Sequence, residues 1–134
     1  MTSRRRFYAE TEVFSDAEHG LLRDVALLVD LVPHKWNGDW VRCHELARFV
    51  ARVDNLQVVD GKCNLVEHSW LLTPERNILD VYAVGRLPMV QFVDRELAYR
   101  GRFYEAGPDR TDIRHDVITS IAYVVRGERW DGAL

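Results

Sequence analysis

Leu65-Val-Glu-His-Ser-Trp-Leu-Leu72, Thr73-Pro-Glu75 and Asn77-Ile-Leu-Asp-Val-Tyr-Ala-Val84 read in succession as a strand, a turn and a returning strand. In the first segment Val66, His68, Trp70 and Leu72 share one face, and Leu65, Glu67, Ser69 and Leu71 share the other. A turn centred on Pro74 sets His68 opposite Asp80, Val66 opposite Tyr82 and Trp70 opposite Ile78. Directly opposed residues point to one face with Cβ atoms about 5 Å apart, close enough for an imidazole–carboxylate hydrogen bond. The rest of that face is apolar or aromatic, so the hairpin must lay it on a neighbour. The preceding helix is the nearest candidate.

That helix is expected over about 40–53, with Asp39 as its N-cap. Cys43, Leu46, Ala47, Val50 and Val53 recur at helical spacing and face inward, while Arg42, Glu45, Arg48 and Arg52 form the wet side. Cys43 therefore falls in the first turn. Between helix and hairpin, Leu56 to Val59 reads as a short strand closed by the turn signal Asp60-Gly61. Upstream, Pro33 to Asp39 is a turn-rich loop carrying Trp36. Before it, Ser15-Asp-Ala-Glu18 is a capping box opening a helix whose apolar positions run from Ala17 to Val32, where Pro33 stops it.

Downstream, Gly85 and Pro88 punctuate the chain before a strand over Met89 to Val93. An aromatic, extended stretch follows from Leu97 to Ala106, then a break at Gly107-Pro108-Asp109. Thr111 or Asp112 caps a last helix to about Arg126, with Ile113, Val117, Ile118, Ile121 and Val125 inward. The pattern is α+β: N-terminal helices packed on a small antiparallel β-sheet, with a closing C-terminal helix, in one domain spanning 1–134.

Composition narrows the function classes. A formal charge of -3 gives no general attraction to nucleic acid or to an anionic membrane. The run Arg4-Arg5-Arg6 is local and reads as a solvated tail. No apolar stretch reaches the roughly 18 residues that a membrane span needs, and no apolar segment follows the arginines as in a secretory signal. Two cysteines, Cys43 and Cys63, make no disulfide framework, so a reducing cytoplasm is expected. Lys35 and Lys62 are the only lysines, a hint of a GC-rich genome.

Cys43, His68 and Asp80 are the candidates for chemistry. A thiol is mostly protonated at neutral pH, but a helix N-terminus and a nearby imidazolium both favour the thiolate. An imidazole needs a carboxylate to fix its tautomer and orientation. The order of nucleophile, base and orienting carboxylate follows helix, strand and next strand. The Cys43 backbone N–H, at the open end of its helix, is a candidate oxyanion donor.

The pieces Trp40-Val-Arg-Cys43, Glu67-His68-Ser-Trp70 and Ile78-Leu-Asp80-Val81 resemble the papain-like cysteine-enzyme superfamily, in particular its transglutaminase-like and arylamine N-acetyltransferase-like branch. The resemblance covers roughly residues 36 to 84. It implies a cysteine-dependent hydrolase or acyltransferase whose thiolate attacks an amide- or ester-containing substrate, with release to water, an amine or another acceptor. No cofactor is implied. The chain departs from that pattern in two ways: only 24 residues separate Cys43 from His68, and no glycine-rich context surrounds the cysteine. Trp36, Trp40 and Trp70 are candidates for contact with substrate, and the Trp40 indole is a further candidate oxyanion donor.

Each of these residues also has a plainer reading. A cysteine on an apolar helix face is more often a small buried hydrophobe. His68 and Asp80 could form a structural pair, and the whole could be a non-catalytic interaction module on the same scaffold. A metal site is the third alternative, since Cys43-His44 is an adjacent pair and Cys63 lies near His68, but the spacing fits no common zinc pattern. His44-Glu45 lacks the second histidine of a zincin helix.

Overall fold

The computed structural model describes residues 14–82, 91–93 and 104–127. The Arg4–Arg6 run, Gly85, Pro88, Met89, residues 97–103 and Trp130 lie outside them.

The elements are α1 (Asp16–Asp30), β1 (Lys35–Trp36), β2 (Asp39–Trp40), α2 (Cys43–Asp54), β3 (Gln57–Cys63), β4 (Val66–Leu72), β5 (Ile78–Asp80), β6 (Gln91–Val93), β7 (Tyr104–Ala106) and α3 (His115–Arg126). The architecture is α+β. β1 and β2 form a two-stranded ribbon, and the other five strands form one antiparallel sheet in the order β6-β5-β4-β3-β7. Helix α2 is the hub, packed on β3 and β4 and touching both α1 and α3.

α1 begins as its sequence signal predicts. Ser15 Oγ accepts the Glu18 N–H and Glu18 Oε1 accepts the Ser15 N–H. Glu18 is also 1% exposed, because its carboxylate takes the Thr73 hydroxyl and the Asn77 amide. One capping residue thus ties α1 to the β4–β5 turn.

The expected loop before α2 contains a tight hairpin. Asn37 and Gly38 both have positive φ (52° and 86°), the conformation of a two-residue turn that matches strand twist. Because β2 occupies Asp39 and Trp40, the helix starts later than expected. Its N-cap is Arg42, without a side-chain cap, and Cys43 is the first helical residue. The expected wet side also changes: Glu45 is buried between Arg42 and Arg114, and Arg48 is turned onto Asp60. At the start of α3, Arg114 replaces Thr111 or Asp112 as N-cap, since the Asp112 carboxylate is taken by Arg42 and Arg110.

Asp60-Gly61 is not a turn. It lies inside β3, and the reversal comes at Asn64-Leu65, where φ is 51° and 68°. Gly61 serves a close approach instead: a Cβ there would overlap the Glu105 carbonyl of β7.

The β4–β5 hairpin forms with a shifted register. Leu71 faces Leu79 and Leu72 faces Ile78, so the turn centres on Glu75 rather than Pro74. Continuing that register puts Trp70, not His68, opposite Asp80. A slip of two preserves the faces, so His68 and Asp80 stay on one side and meet diagonally.

The two faces of the sheet carry separate cores. One joins the helices to Leu71 and Leu79, through Val25, Val29, Leu46, Phe49, Val50, Ile118 and Ile121. The other gathers Trp70, Leu72, Ile78 and Tyr104, with Val59 and Cys63 at its edge. Helix α2 therefore lies over the Ser69 and Leu71 face, not over the His68 face as expected. Phe49, which the spacing of the helix did not single out, is fully buried there.

Candidate active site

Three donors converge on Asp80 at the end of β5. His68 Nε2 lies 3.0 and 2.8 Å from its two oxygens, the Tyr82 N–H donates to Oδ1 at 2.8 Å, and the Tyr104 hydroxyl donates to Oδ2 at 2.7 Å. With Nε2 facing a carboxylate, the His68 proton sits there, and Nδ1 is left for exchange with a partner. Trp70 packs beside the pair, its ring stacked with His68 at 6.2 Å between centroids and edge-on to Tyr104 at 5.1 Å. The imidazole is held by a carboxylate at one nitrogen and by aromatic packing on its flank.

Cys43 comes to this region from the other side of the sheet, at the tip of α2. The Tyr82 hydroxyl donates to the Val41 carbonyl at 2.9 Å, which ties the end of the hairpin to the segment leading into the cysteine. The thiol is free and half-buried. Burial works against its ionisation, but hydrogen bonding from His44 and from His68, together with their charge, brings it down to about 6. Burial likewise opposes a charged His68, but hydrogen bonds to Asp80 and Cys43 and their negative charges lift it to about 10. Both shifts favour the charged form of their group.

A second imidazole touches the same sulfur. Cys43 Sγ is 3.6 Å from His44 Nδ1 and 3.9 Å from Nε2. His44 Nδ1 is 2.7 Å from Ser69 Oγ, which donates to Asp60 Oδ1 at 2.6 Å. Asp60 in turn accepts from Arg48 at 2.6 Å and from the Arg110 N–H at 2.9 Å. Burial alone would raise Asp60, but these donors, Arg48 first, hold it below the usual carboxylate range.

Cys63 is also a free thiol, at the end of β3 near Tyr104. Burial, then the charge of Asp80, pushes it up to about 11. The phenol of Tyr104 is driven far upward by burial and by the same carboxylate, so it keeps the proton it donates.

Of the candidate substrate contacts, Trp40 is 53% exposed, with Lys35 Nζ 4.7 Å over its ring, and Trp36 is half-buried against the helical core. Trp70 is fully buried behind His68 and offers no open face. A groove of about 780 Å³ runs along the C-terminal half of α2, between Arg48, Arg52, Asn55 and Arg110, and is not lined by Cys43, His68 or Asp80. Among the described residues no group of three or more His, Cys, Asp or Glu could hold a metal ion, and no helix is long and apolar enough to cross a membrane.

The contact of His68 with Asp80 was legible from spacing and face, whereas the docking of the Cys43 helix on the opposite face was not. Tyr104, the Tyr82 N–H, His44, Ser69 and Asp60 were not. The adjacency of His44 to Cys43 was the one visible signal, but its partners are set by how α2 docks on β4. Set against known family models, curated proteins and solved structures, the chain matches none.

Proposed function

We propose that this chain is a cysteine-dependent hydrolase or acyltransferase of the amidase, peptidase or deamidase type, acting on an amide- or ester-containing substrate. In the order and roles of its residues it resembles the papain-like superfamily, in particular the transglutaminase-like branch. The observation that carries the reading is the buried His68 imidazole, bonded at Nε2 to both oxygens of Asp80, in a chain whose free Cys43 opens helix α2.

The Cys43 thiolate attacks the substrate carbonyl carbon. A C–S bond forms and the carbonyl π electrons move to oxygen, where the unbonded N–H groups of the first turn of α2 receive the charge. As the carbonyl re-forms, the bond to the leaving nitrogen or oxygen breaks, and that atom takes the proton from His68 Nδ1. A thioester remains. Neutral His68 then accepts a proton from water or another acceptor as it attacks the thioester, the C–S bond breaks, and the thiolate returns beside a recharged imidazolium. Asp80 acts through His68, holding its Nε2–H throughout. Trp40 and Trp36 precede the nucleophile and are suited to line the approach of substrate. Two free thiols suit a reducing compartment, and we assign the chain to the cytoplasm.

The test is alkylation of the native protein with iodoacetamide near pH 6.5, with the modified thiol mapped by mass. The expected result is rapid, selective labelling of Cys43 that slows markedly in His68→Ala. Labelling of Cys43 at the rate of the unfolded chain would remove the basis for catalysis and favour a non-catalytic interaction module on this scaffold.

A further inference from the structure

The β3–β4 turn holds a leucine where a two-residue turn with both φ values positive takes glycine by default. Leu65 sits at φ 68° with 81% of its surface exposed, and it joins neither core of the described residues. It costs the fold backbone strain and leaves apolar surface in water, with no packing in return. Val66, the next residue, is 66% exposed. Strain that brings the fold no benefit points outward, to something the residue meets.

This hairpin tip stands beside the candidate site. Val66 and His68 share one face of β4, two residues or about 7 Å apart. Glu67, between them, pairs with Arg110 at 3.3 Å, Arg110 with Asp112 at 2.8 Å and Asp112 with Arg42 at 3.4 Å. Arg42 immediately precedes Cys43. His44 Nδ1, 2.7 Å from Ser69 Oγ, sets the first turn of α2 over the same stretch of strand. The apolar tip, the imidazole and the start of the cysteine's helix therefore meet along the first four residues of β4, Val66 to Ser69.

We propose that Leu65 and Val66 are the docking point for an apolar side chain of a polypeptide substrate, so that the amide Cys43 attacks belongs to a peptide or protein. The inference rests on the reading of Cys43 as the nucleophile and narrows its substrate class. Shape decides for a polypeptide. Small molecules are held in concave sites that enclose most of their surface. A hairpin tip is convex and encloses nothing. Its two apolar side chains leave water only against a surface larger than themselves, such as an apolar residue and its neighbours in an extended chain. Around the tip Lys62, Asn64 and Glu67 are exposed and polar, with one charge of each sign. The contact therefore selects on apolar fit and not on net charge, as an apolar centre with a polar rim does.

The experiment is alkylation of Cys43 by acetyl-tetraglycine chloromethyl ketone and by the relatives in which leucine replaces each glycine in turn. The thiolate displaces chloride as the C–S bond forms, and the site of labelling is mapped by peptide mass. Each rate is divided by that with iodoacetamide, which reports the thiol without a peptide chain. In the wild type, leucine at one position should raise this ratio at least about tenfold, the effect of burying most of one such side chain. Leu65→Asn, which suits the left-handed turn, and Val66→Thr, which keeps the branched shape, should each lower that preference about threefold or more. The double variant should bring it to within about twofold of the tetraglycine probe. If circular dichroism shows that Val66→Thr does not fold, Leu65→Asn alone carries the test. No leucine preference in the wild type, or one that persists undiminished in the folded variants, overturns the docking role and leaves the proposed function standing. A wild type that dimerises in sedimentation and comes apart in Leu65→Asn assigns the tip to a second copy of the chain and overturns it too. Labelling of Cys43 by iodoacetamide at the rate of the unfolded chain overturns the proposed function itself.

Discussion

Tyr104 donates its hydroxyl to Asp80 Oδ2 at 2.7 Å, the same oxygen that lies 2.8 Å from His68 Nε2. A phenol from the far edge of the sheet thus shares the carboxylate that orients the imidazole. Tyr104→Phe removes this donor and keeps the ring packed on Trp70. The expected result is a loss of about 1.5–3 kcal/mol in stability, the range for a hydrogen bond to a charged group. A freer carboxylate then binds the imidazolium more strongly, so His68 should titrate higher by NMR. A variant with unchanged stability and unchanged His68 titration would show the contact to be idle.

Asp60 sits under Arg48, Ser69 and the Arg110 N–H with its value depressed by them. A depressed carboxylate stabilises the fold above its unfolded value, near 3.9, and that contribution is lost as pH falls through the lower folded value. Asp60→Asn leaves Arg48 buried without its charge partner and should cost about 3 kcal/mol at pH 7. The gap between wild type and variant in urea unfolding should be constant above about pH 5 and shrink below pH 4. A gap that widens on acidification reverses the sign and refutes the assignment.

Cys43 is drawn down to about 6 and Cys63 is pushed up to about 11. At pH 7.5 the first is thiolate and the second thiol, and only the thiolate is nucleophilic. Native protein should therefore take up one equivalent of iodoacetamide at least about a hundredfold faster than a second. Intact-mass spectra over time decide this, and two thiols reacting in step would contradict the separation.

Leu65 is held at φ 68° in the β3–β4 turn with 81% of its surface exposed. A branched side chain in the left-handed region costs about 1 kcal/mol that glycine does not. Leu65→Gly should be neutral to stabilising by up to about 1 kcal/mol, read as a rise in Tm of a few degrees. A clear fall in Tm would mean that the leucine makes a contact worth more than its strain.

Gly61 faces Ala106 across β3 and β7, where a Cβ would run into the Glu105 carbonyl. Gly61→Ala should cost about 2–3 kcal/mol, as other overpacking does. It should loosen β7, and with it the Tyr104 contact. Hydrogen exchange at residues 104–106 is the direct readout, and protection unchanged from wild type would defeat the prediction.

What could be read from the chain followed from how local each signal was. The Ser15–Glu18 box is complete within one turn, and it formed as written. The pairing of His68 with Asp80 survived a wrong turn centre because a shift of two residues leaves side chains on the same face. Asp60-Gly61 failed for a physical reason: the aspartate is needed as a buried acceptor and the glycine for close strand approach, yet together they imitate a turn. The charged helix positions Glu45 and Arg48 misled in the same way, since partners distant in sequence made burial tolerable. Tyr104 was out of reach because β7 joins β3, a neighbour far back along the chain.

The strand order β6-β5-β4-β3-β7 carries a temporal implication. Two strands successive among the described residues, β6 and β7, lie at opposite borders of the sheet. Closing so distant a contact is slow compared with zipping up the consecutive β3–β4 and β4–β5 pairs. A molecule caught during refolding, before that border is sealed, would have sulfur, imidazole and carboxylate assembled but no phenol on Asp80. The thiol would then reach its native reactivity only after secondary structure has formed, making it a clock for the last event of folding.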